Sequence, residues 1–265
     1  MNLDFFLTRI GLSSLPEAPL ARLAALHRAM THTVPFENLA ILEGKRICLE
    51  PEAVWDKVVE KGRGGYCFEL NALFARVLEG LDYRVERLIG RVWTTGIPTP
   101  PLTHMTLKVT AGGRPYLCDV GFGGGTLREP LPWEMDAVAN QAPDAFRLAA
   151  TDNGETMLAR LTADGWQDQY SLLPCTLRPQ DYLPANHYTS THPASYFTRT
   201  PVAALSTEDG RITLRGRTFR RVGAQGAAER ELADCRELLR VLDEEFGLRG
   251  LDAQAVECRL AGVFG

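Results

Sequence analysis

Cys67 follows Gly64-Gly65-Tyr66, and Leu70, Leu73, Phe74, Val77 and Leu78 behind it form an apolar stripe at helical spacing that stops at Gly80. The thiol therefore sits in or near the first turn of a helix. Unpaired backbone N–H groups there carry partial positive charge, a setting that suits a nucleophilic sulfur. The two glycines allow a sharp turn and leave room for a substrate. A cysteine at a helix start can equally be a tight-turn packing residue, so its neighbours in space must decide. The other cysteines are Cys48, Cys118, Cys175, Cys235 and Cys258. None forms a CxxC pair or a zinc-finger spacing, which points to free thiols in a reducing compartment and to no metal site.

The segment 103–120 supplies partners. Met105, Leu107 and Val109 alternate with His104, Thr106 and Lys108; beyond Gly112-Gly113, Tyr116, Cys118 and Val120 alternate with Leu117 and Asp119. A two-residue turn at the glycines pairs Val109 with Tyr116, Leu107 with Cys118 and Met105 with Val120, all apolar and on one face. Asp119 then lies opposite Thr106, on the face that carries His104, and the two become diagonal neighbours within reach of one hydrogen bond. A three-residue loop would instead put Asp119 on the Met105 face. A carboxylate on one imidazole nitrogen fixes the tautomer and aims the other nitrogen at a nucleophile. Cys67, His104 and Asp119 so arranged would perform acyl transfer. The glycines of Gly121-Phe-Gly-Gly-Gly125 match neither GxGxxG nor a P-loop, and no nucleotide site is read from them.

The remaining histidines read as weaker candidates. His27 falls in a helix and His32 just after it, both structural or exposed. His187 and His192 lie in Asn186-His-Tyr-Thr-Ser-Thr-His-Pro193, without an acidic or thiol ligand close by.

The elements that must position these groups change type along the chain. Leu3, Phe6, Leu7 and Ile10 mark a first helix, and Leu20, Leu23 and Leu26 a second running to about Met30. A third begins at Pro51, before the helix of Cys67. From about residue 83 the period becomes 2, with strands expected near 84–93, 103–110, 115–120, 145–150, 156–162 and 166–172. Short antiparallel strands in series suggest a small barrel or curved sheet. Segment 174–201 reads as irregular connection. A hairpin (Ile212, Leu214, Phe219, Val222) and a helix over about 228–246 follow, with Leu232, Cys235, Leu239, Leu242 and Phe246 inward. The fold class is α+β.

The 265 residues are 45% hydrophobic and 23% charged, with net charge −4, which is globular composition and argues against nucleic-acid binding. Arg215, Arg217, Arg220 and Arg221 read as a solvated hairpin edge rather than a phosphate patch. The acidic N-terminal segment is not a signal peptide, and no apolar run approaches a membrane span. The expectation is a soluble, cytoplasmic protein.

Taken together, Val34-Pro-Phe-Glu-Asn-Leu39, Arg63-Gly-Gly-Tyr-Cys-Phe-Glu-Leu-Asn71, Thr103-His104, Asp119-Val-Gly-Phe-Gly123 and Asn186–Pro193 make the chain resemble the arylamine N-acetyltransferase family, bacterial type, over its full length. The resemblance implies a helical domain over 1–83 and a β-barrel over 84–190. A connection and α/β lid would follow over 191–265, with a cysteine-protease-like core where the first two domains meet. It maps the family's catalytic residues onto Cys67, His104 and Asp119, and its coenzyme A contacts onto Pro101, Thr103 and Tyr188. Phe36, Phe122 and Thr103 would line the acceptor pocket. The implied reaction is ping-pong transfer from acetyl-coenzyme A, as co-substrate, through acetyl-Cys67 to arylamines and arylhydrazines, with O-acetylation of N-hydroxyarylamines also open. The animal members' second-domain insertion is not expected, nor a long tail after Val263-Phe-Gly265 to cover the site. A cysteine hydrolase or transglutaminase, a macrolactam-forming amide synthase and a non-catalytic binding protein are the alternatives.

Overall fold

The computed structural model describes residues 2–264. The first part holds helices α1 (Leu3–Arg9) and α2 (Pro19–Thr33), the short strand β1 (Phe36–Glu37), helices α3 (Leu39–Leu42) and α4 (Pro51–Trp55), and α5 (Cys67–Glu79). α4 runs on as a wider π-helical turn over Asp56–Glu60, which keeps Val58 and Val59 buried. Eight strands follow: β2 (Arg84–Val92), β3 (Leu102–Ala111), β4 (Arg114–Cys118), β5 (Leu131–Pro132), β6 (Ala139–Gln141), β7 (Asp144–Ala150), β8 (Thr156–Thr162) and β9 (Gly165–Leu172). Then come α6 (Leu183–Thr191), strands β10 (Val202–Thr207), β11 (Gly210–Arg215), β12 (Thr218–Gly223) and β13 (Gly226–Glu231), and helices α7 (Cys235–Phe246) and α8 (Ala253–Phe264).

The architecture is α+β. Strands β2 to β9 form one antiparallel sheet in the order β5-β4-β3-β2-β9-β8-β7-β6. It curls into a nearly closed barrel, because Met135, just past β5, bridges back to Leu148 of β7. Alternation explains why β3 and β4 carry so few exposed residues. Met105, Leu107, Val109, Tyr116 and Cys118 pack outward against the helices, in a core with Phe68, Leu70, Phe74 and Val77 of α5. Leu117 points the other way, into the barrel, where Leu88, Phe146, Leu148, Leu158, Tyr170 and Leu172 gather. The hairpin register is the expected one, with Val109 opposite Tyr116 and Leu107 opposite Cys118. Gly112 and Gly113 make the two-residue turn with φ of +56° and +79°. The ladder ends at the Leu107–Cys118 pair, however, so the expected Met105–Val120 and Thr106–Asp119 pairs do not form. Instead Thr106 Oγ1 donates to the Cys118 carbonyl (2.8 Å) and the chain leaves the sheet at Asp119.

Two motifs far apart in sequence meet before α5. Glu37 N–H donates to the Gly65 carbonyl (2.8 Å) and Gly65 N–H to that of Pro35 (3.3 Å). Any Cβ on Gly64 would stand 2.1 Å from the Pro35 oxygen, so only glycine permits this approach. Arg63 reaches the buried carboxylates of Glu37 (3.2 Å) and Glu43 (3.3 Å). Asn38 binds the carbonyls of Phe197 and Thr200 (both 2.8 Å) and accepts from Val202 N–H (2.8 Å), fastening the same joint to the C-terminal sheet. β1 pairs with β10 at the edge of that sheet, whose order is β1-β10-β11-β12-β13.

Three expectations need correction. Residues 226–231 form strand β13 rather than the start of a helix: Ala227, Ala228, Glu229 and Arg230 favour helix, but pairing along β12 overrides that preference. α7 starts only at its N-cap Asp234, whose side chain accepts from Glu237 N–H (2.8 Å), and buries Leu238, Val241, Leu242 and Phe246, with Leu239 and Cys235 half-buried. Segment 174–201 is not irregular throughout, since it contains α6. That helix has no apolar stripe because it buries Asn186 and Thr189, and Asn186 bonds the Tyr66 hydroxyl and, at 3.2 Å, the Ile47 carbonyl. The division expected at 190/191 falls in its last turn. His32, finally, lies inside α2 rather than after it. Among the described residues no helix is long and apolar enough to cross a membrane.

Replacing Arg63 with Met leaves Glu37, fully buried, without its cation. The expected loss is about 3–5 kcal/mol in denaturant unfolding, as for other broken buried pairs. A loss of less than about 1 kcal/mol, typical of surface pairs, would mean that Arg63 does not hold this joint.

Candidate active site

Cys67 is the first residue of α5, 6% exposed. Its helix start is stiffened by Glu69, which accepts from Tyr66 N–H (3.2 Å) and from Lys57 Nζ (2.7 Å). The sulfur is 3.6 Å from the Thr103 carbonyl, next to His104 on β3. Gly121 lies flat against it, since a Cβ there would come within 2.9 Å of the Cys67 Cα. The glycine-rich exit from β4 thus serves close approach rather than flexibility.

His104 and Asp119 are both buried, and His104 Nε2 is 2.7 Å from Asp119 Oδ2. With Nε2 on the carboxylate, Nδ1 is the nitrogen left for Cys67. Asp119 Oδ1 accepts from Asn71 Nδ2 (3.0 Å) and Gly121 N–H (2.9 Å), so the carboxylate has three donors. Burial works against its charge, yet the His104 charge and these bonds hold it below its ordinary pKa. For His104, burial opposes the imidazolium, but the Asp119 charge and hydrogen bond, with Cys67 adding to them, lift it to about 10. The ring is boxed by Tyr170 and Phe122, at centroid distances of 4.6 and 5.1 Å.

A cleft of about 280 Å³ opens on this group. Its walls include Cys67, Thr103, His104, Phe36 and Phe122, so five of the residues expected from sequence come together. Pro101 is exposed just before β3 and Tyr188 is half-buried on α6, stacked on His192 at 4.7 Å; neither lines the cleft. Arg215 lines it, exposed, while Arg220 and Arg221 lie exposed on the β12–β13 hairpin edge. No group of three His, Cys, Asp or Glu side chains placed to hold a metal occurs among the described residues.

Several contributors escaped the sequence reading. Asn71 ties together the Met105 carbonyl (2.8 Å), Asp119 and Val120 N–H (3.1 Å). Its signal was present: it lies four residues after Cys67, on the same helix face. His27 is fully buried, and its Nε2 accepts the Asp119 backbone N–H at 3.1 Å. Burial drives its pKa down to about 4, so the ring is neutral and its proton sits on Nδ1. No local pattern links these two residues. Tyr170, Arg160 and Gln169 also reach the site from β8 and β9, strands that alternation alone placed only in a barrel.

The family model described as N-acetyltransferase matches residues 19–256. The arylamine N-acetyltransferase of Mycolicibacterium smegmatis is 38% identical, covering 99% of this chain and 98% of that protein. An arylamine N-acetyltransferase / N-hydroxyarylamine O-acetyltransferase of Salmonella typhimurium is 31% identical over 98% of this chain and 94% of its own length. The Mycobacterium marinum arylamine N-acetyltransferase solved in complex with CoA superposes with a TM-score of 0.92, at 36% identity and 99% coverage of both chains. With a mixed helix-and-barrel fold in common and relatives matched nearly end to end, the chain belongs to the arylamine N-acetyltransferase family.

Proposed function

We propose that the protein transfers acetyl groups from acetyl-coenzyme A to arylamines and arylhydrazines through an acetyl-Cys67 intermediate, with Cys67, His104 and Asp119 as the catalytic triad. The observation that carries this reading is the buried His104–Asp119 bond beside Cys67 in one cleft. With its proton held by His104, the Cys67 sulfur attacks the thioester carbonyl, the carbon–sulfur bond to coenzyme A breaks, and His104 gives that proton to the departing thiolate. Donor and acyl-enzyme are both thioesters, so this step is close to reversible. A neutral arylamine then attacks acetyl-Cys67, His104 takes the amine proton, and the Cys67 sulfur leaves. The Cys67 backbone N–H, at the first position of α5, has no acceptor within the helix and is our candidate donor to the developing oxyanion.

Thr103, beside the sulfur, is the proposed coenzyme A contact that the cleft geometry supports best; Pro101 and Tyr188 are proposed with it. The relative solved with CoA supports a CoA thioester as donor. Phe36 and Phe122 supply the apolar walls for an aromatic acceptor. The Salmonella relative's second activity supports O-acetylation of N-hydroxyarylamines as a side reaction. We place the reaction in the cytoplasm, where acetyl-coenzyme A and reduced thiols coexist, and in the turnover of foreign aromatic amines.

Incubation with acetyl-coenzyme A followed by intact-mass measurement is expected to give one acetyl adduct on the wild type and none on Cys67→Ala. No adduct on the wild type would favour a hydrolase, and an adduct on the variant would sink the site assignment. A second expectation concerns pH. The folded pKa of His104, about 10, exceeds its ordinary 6.5, so its pairing stabilises the fold fully below pH 6.5 and loses effect as pH rises toward 10. The Tm advantage of wild type over His104→Gln should narrow across that window. A constant difference would contradict the assigned charge.

A further inference from the structure

Asp119 stands where the sheet stops. β4 ends at Cys118, and its last pairs are Leu107–Cys118 with β3 and Leu117–Leu131 with β5, so no strand pairs with Asp119. A buried main-chain N–H must still find an acceptor. That of Asp119 finds His27 Nε2 at 3.1 Å, while the Asp119 carbonyl accepts from Thr126 Oγ1 at 2.8 Å. The main chain on either side of this carboxylate is thus fixed by side chains rather than by a ladder. An aspartate has only two side-chain torsions. A shift of its main chain therefore carries the carboxylate with it and disturbs the 2.7 Å contact with His104 Nε2.

As a packing residue alone, His27 is a poor choice. It projects from α2 among buried Leu23, Leu26 and Met30, edge-on to Phe74 of α5 with ring centroids 5.8 Å apart. It has no exposed surface, and its Nδ1 is closed off from solvent without a hydrogen-bond partner. Leucine or phenylalanine would fill the space without leaving a buried polar atom unpaired. Among the described residues the ring completes one hydrogen bond, and that bond goes to Asp119. Burial keeps the ring neutral at pH 7, so Nε2 retains the lone pair that the Asp119 N–H needs. His27 itself does not line the reaction cleft.

We propose that His27 is a positioning residue for acyl transfer: by accepting the Asp119 N–H it holds the carboxylate against His104, so that α2, remote from the reacting atoms, sets the strength of the His104–Asp119 pair. The inference rests on the acyl-transfer reading.

Acetylation of wild-type Cys67 by acetyl-coenzyme A is scored first by intact mass, so failure of that reading is seen separately. His27→Phe keeps a ring without an acceptor, and His27→Gln can bring its Oε1 near the place of Nε2. Both are compared with wild type by single-turnover acetylation of Cys67 and by nitrogen-15 NMR of His104. In His27→Phe the acetylation rate should fall roughly tenfold to a hundredfold, the scale of a small misplacement, while the half-saturating acetyl-coenzyme A concentration stays the same. The His104 titration midpoint should move from about 10 toward 6.5. Gln should restore most of both. A Phe variant that loses Tm but keeps the wild-type rate and His104 midpoint has lost packing only, which overturns the proposal; a Gln variant no better than Phe overturns it too. If His27→Phe does not fold, the wild type decides. Its His27 should show a bare Nε2, a protonated Nδ1 and coupling from the Asp119 amide proton to Nε2 across the hydrogen bond. A protonated Nε2, or no such coupling, refutes the assignment.

Discussion

A buried carboxylate is the constraint around which the rest is organised. Asp119 has no exposed surface, and a bare charge there would cost several kcal/mol. Every element near it contributes a donor or a wall. β3 supplies His104, α5 supplies Asn71, the glycine turn supplies the Gly121 N–H, and α2 sends His27 to take the backbone N–H of Asp119 itself. Charge on the resting His104 follows from this: the Asp119 carboxylate beside Nε2 favours the imidazolium, which lifts the ring well above its ordinary pKa.

The same arrangement explains why helices and barrel cannot be separated without losing the site. β3 has one face on α5 and the other in the barrel, so His104 and the apolar residues alternating with it are fixed by two cores at once. α5 carries both the Cys67 sulfur and Asn71, so a shift of that helix would move the sulfur and the hydrogen bonds around Asp119 together. The Pro35–Gly65 joint, Arg63 and Asn38 set where α5 begins and tie that point to the C-terminal sheet. That sheet in turn supplies Ala204, Thr213, Leu214 and Arg215 to the cleft wall.

Much of this was legible in the chain. The stripe behind Cys67 gave α5, and Gly112-Gly113 gave a register that placed His104 and Asp119 on one face. The face assignment held although the ladder stops at Cys118, because a single departure from the sheet still leaves Asp119 pointing toward β3. What could not be read was tertiary or polar. His27 and Asp119 are 92 positions apart with no pattern joining them. α6 buries amide and hydroxyl groups instead of an apolar stripe, so periodicity had nothing to detect. β13 is built from helix-favouring residues that only their partner strand holds extended.

A charged His104 imidazolium locked to Asp119 at neutral pH is the centre of the proposed chemistry. Nitrogen-15 NMR of labelled histidine, followed through a pH titration, observes that ring directly. Both His104 nitrogens should be protonated at pH 7, with release only near pH 10. A ring that is neutral at pH 7, or that titrates near its ordinary 6.5, would contradict it.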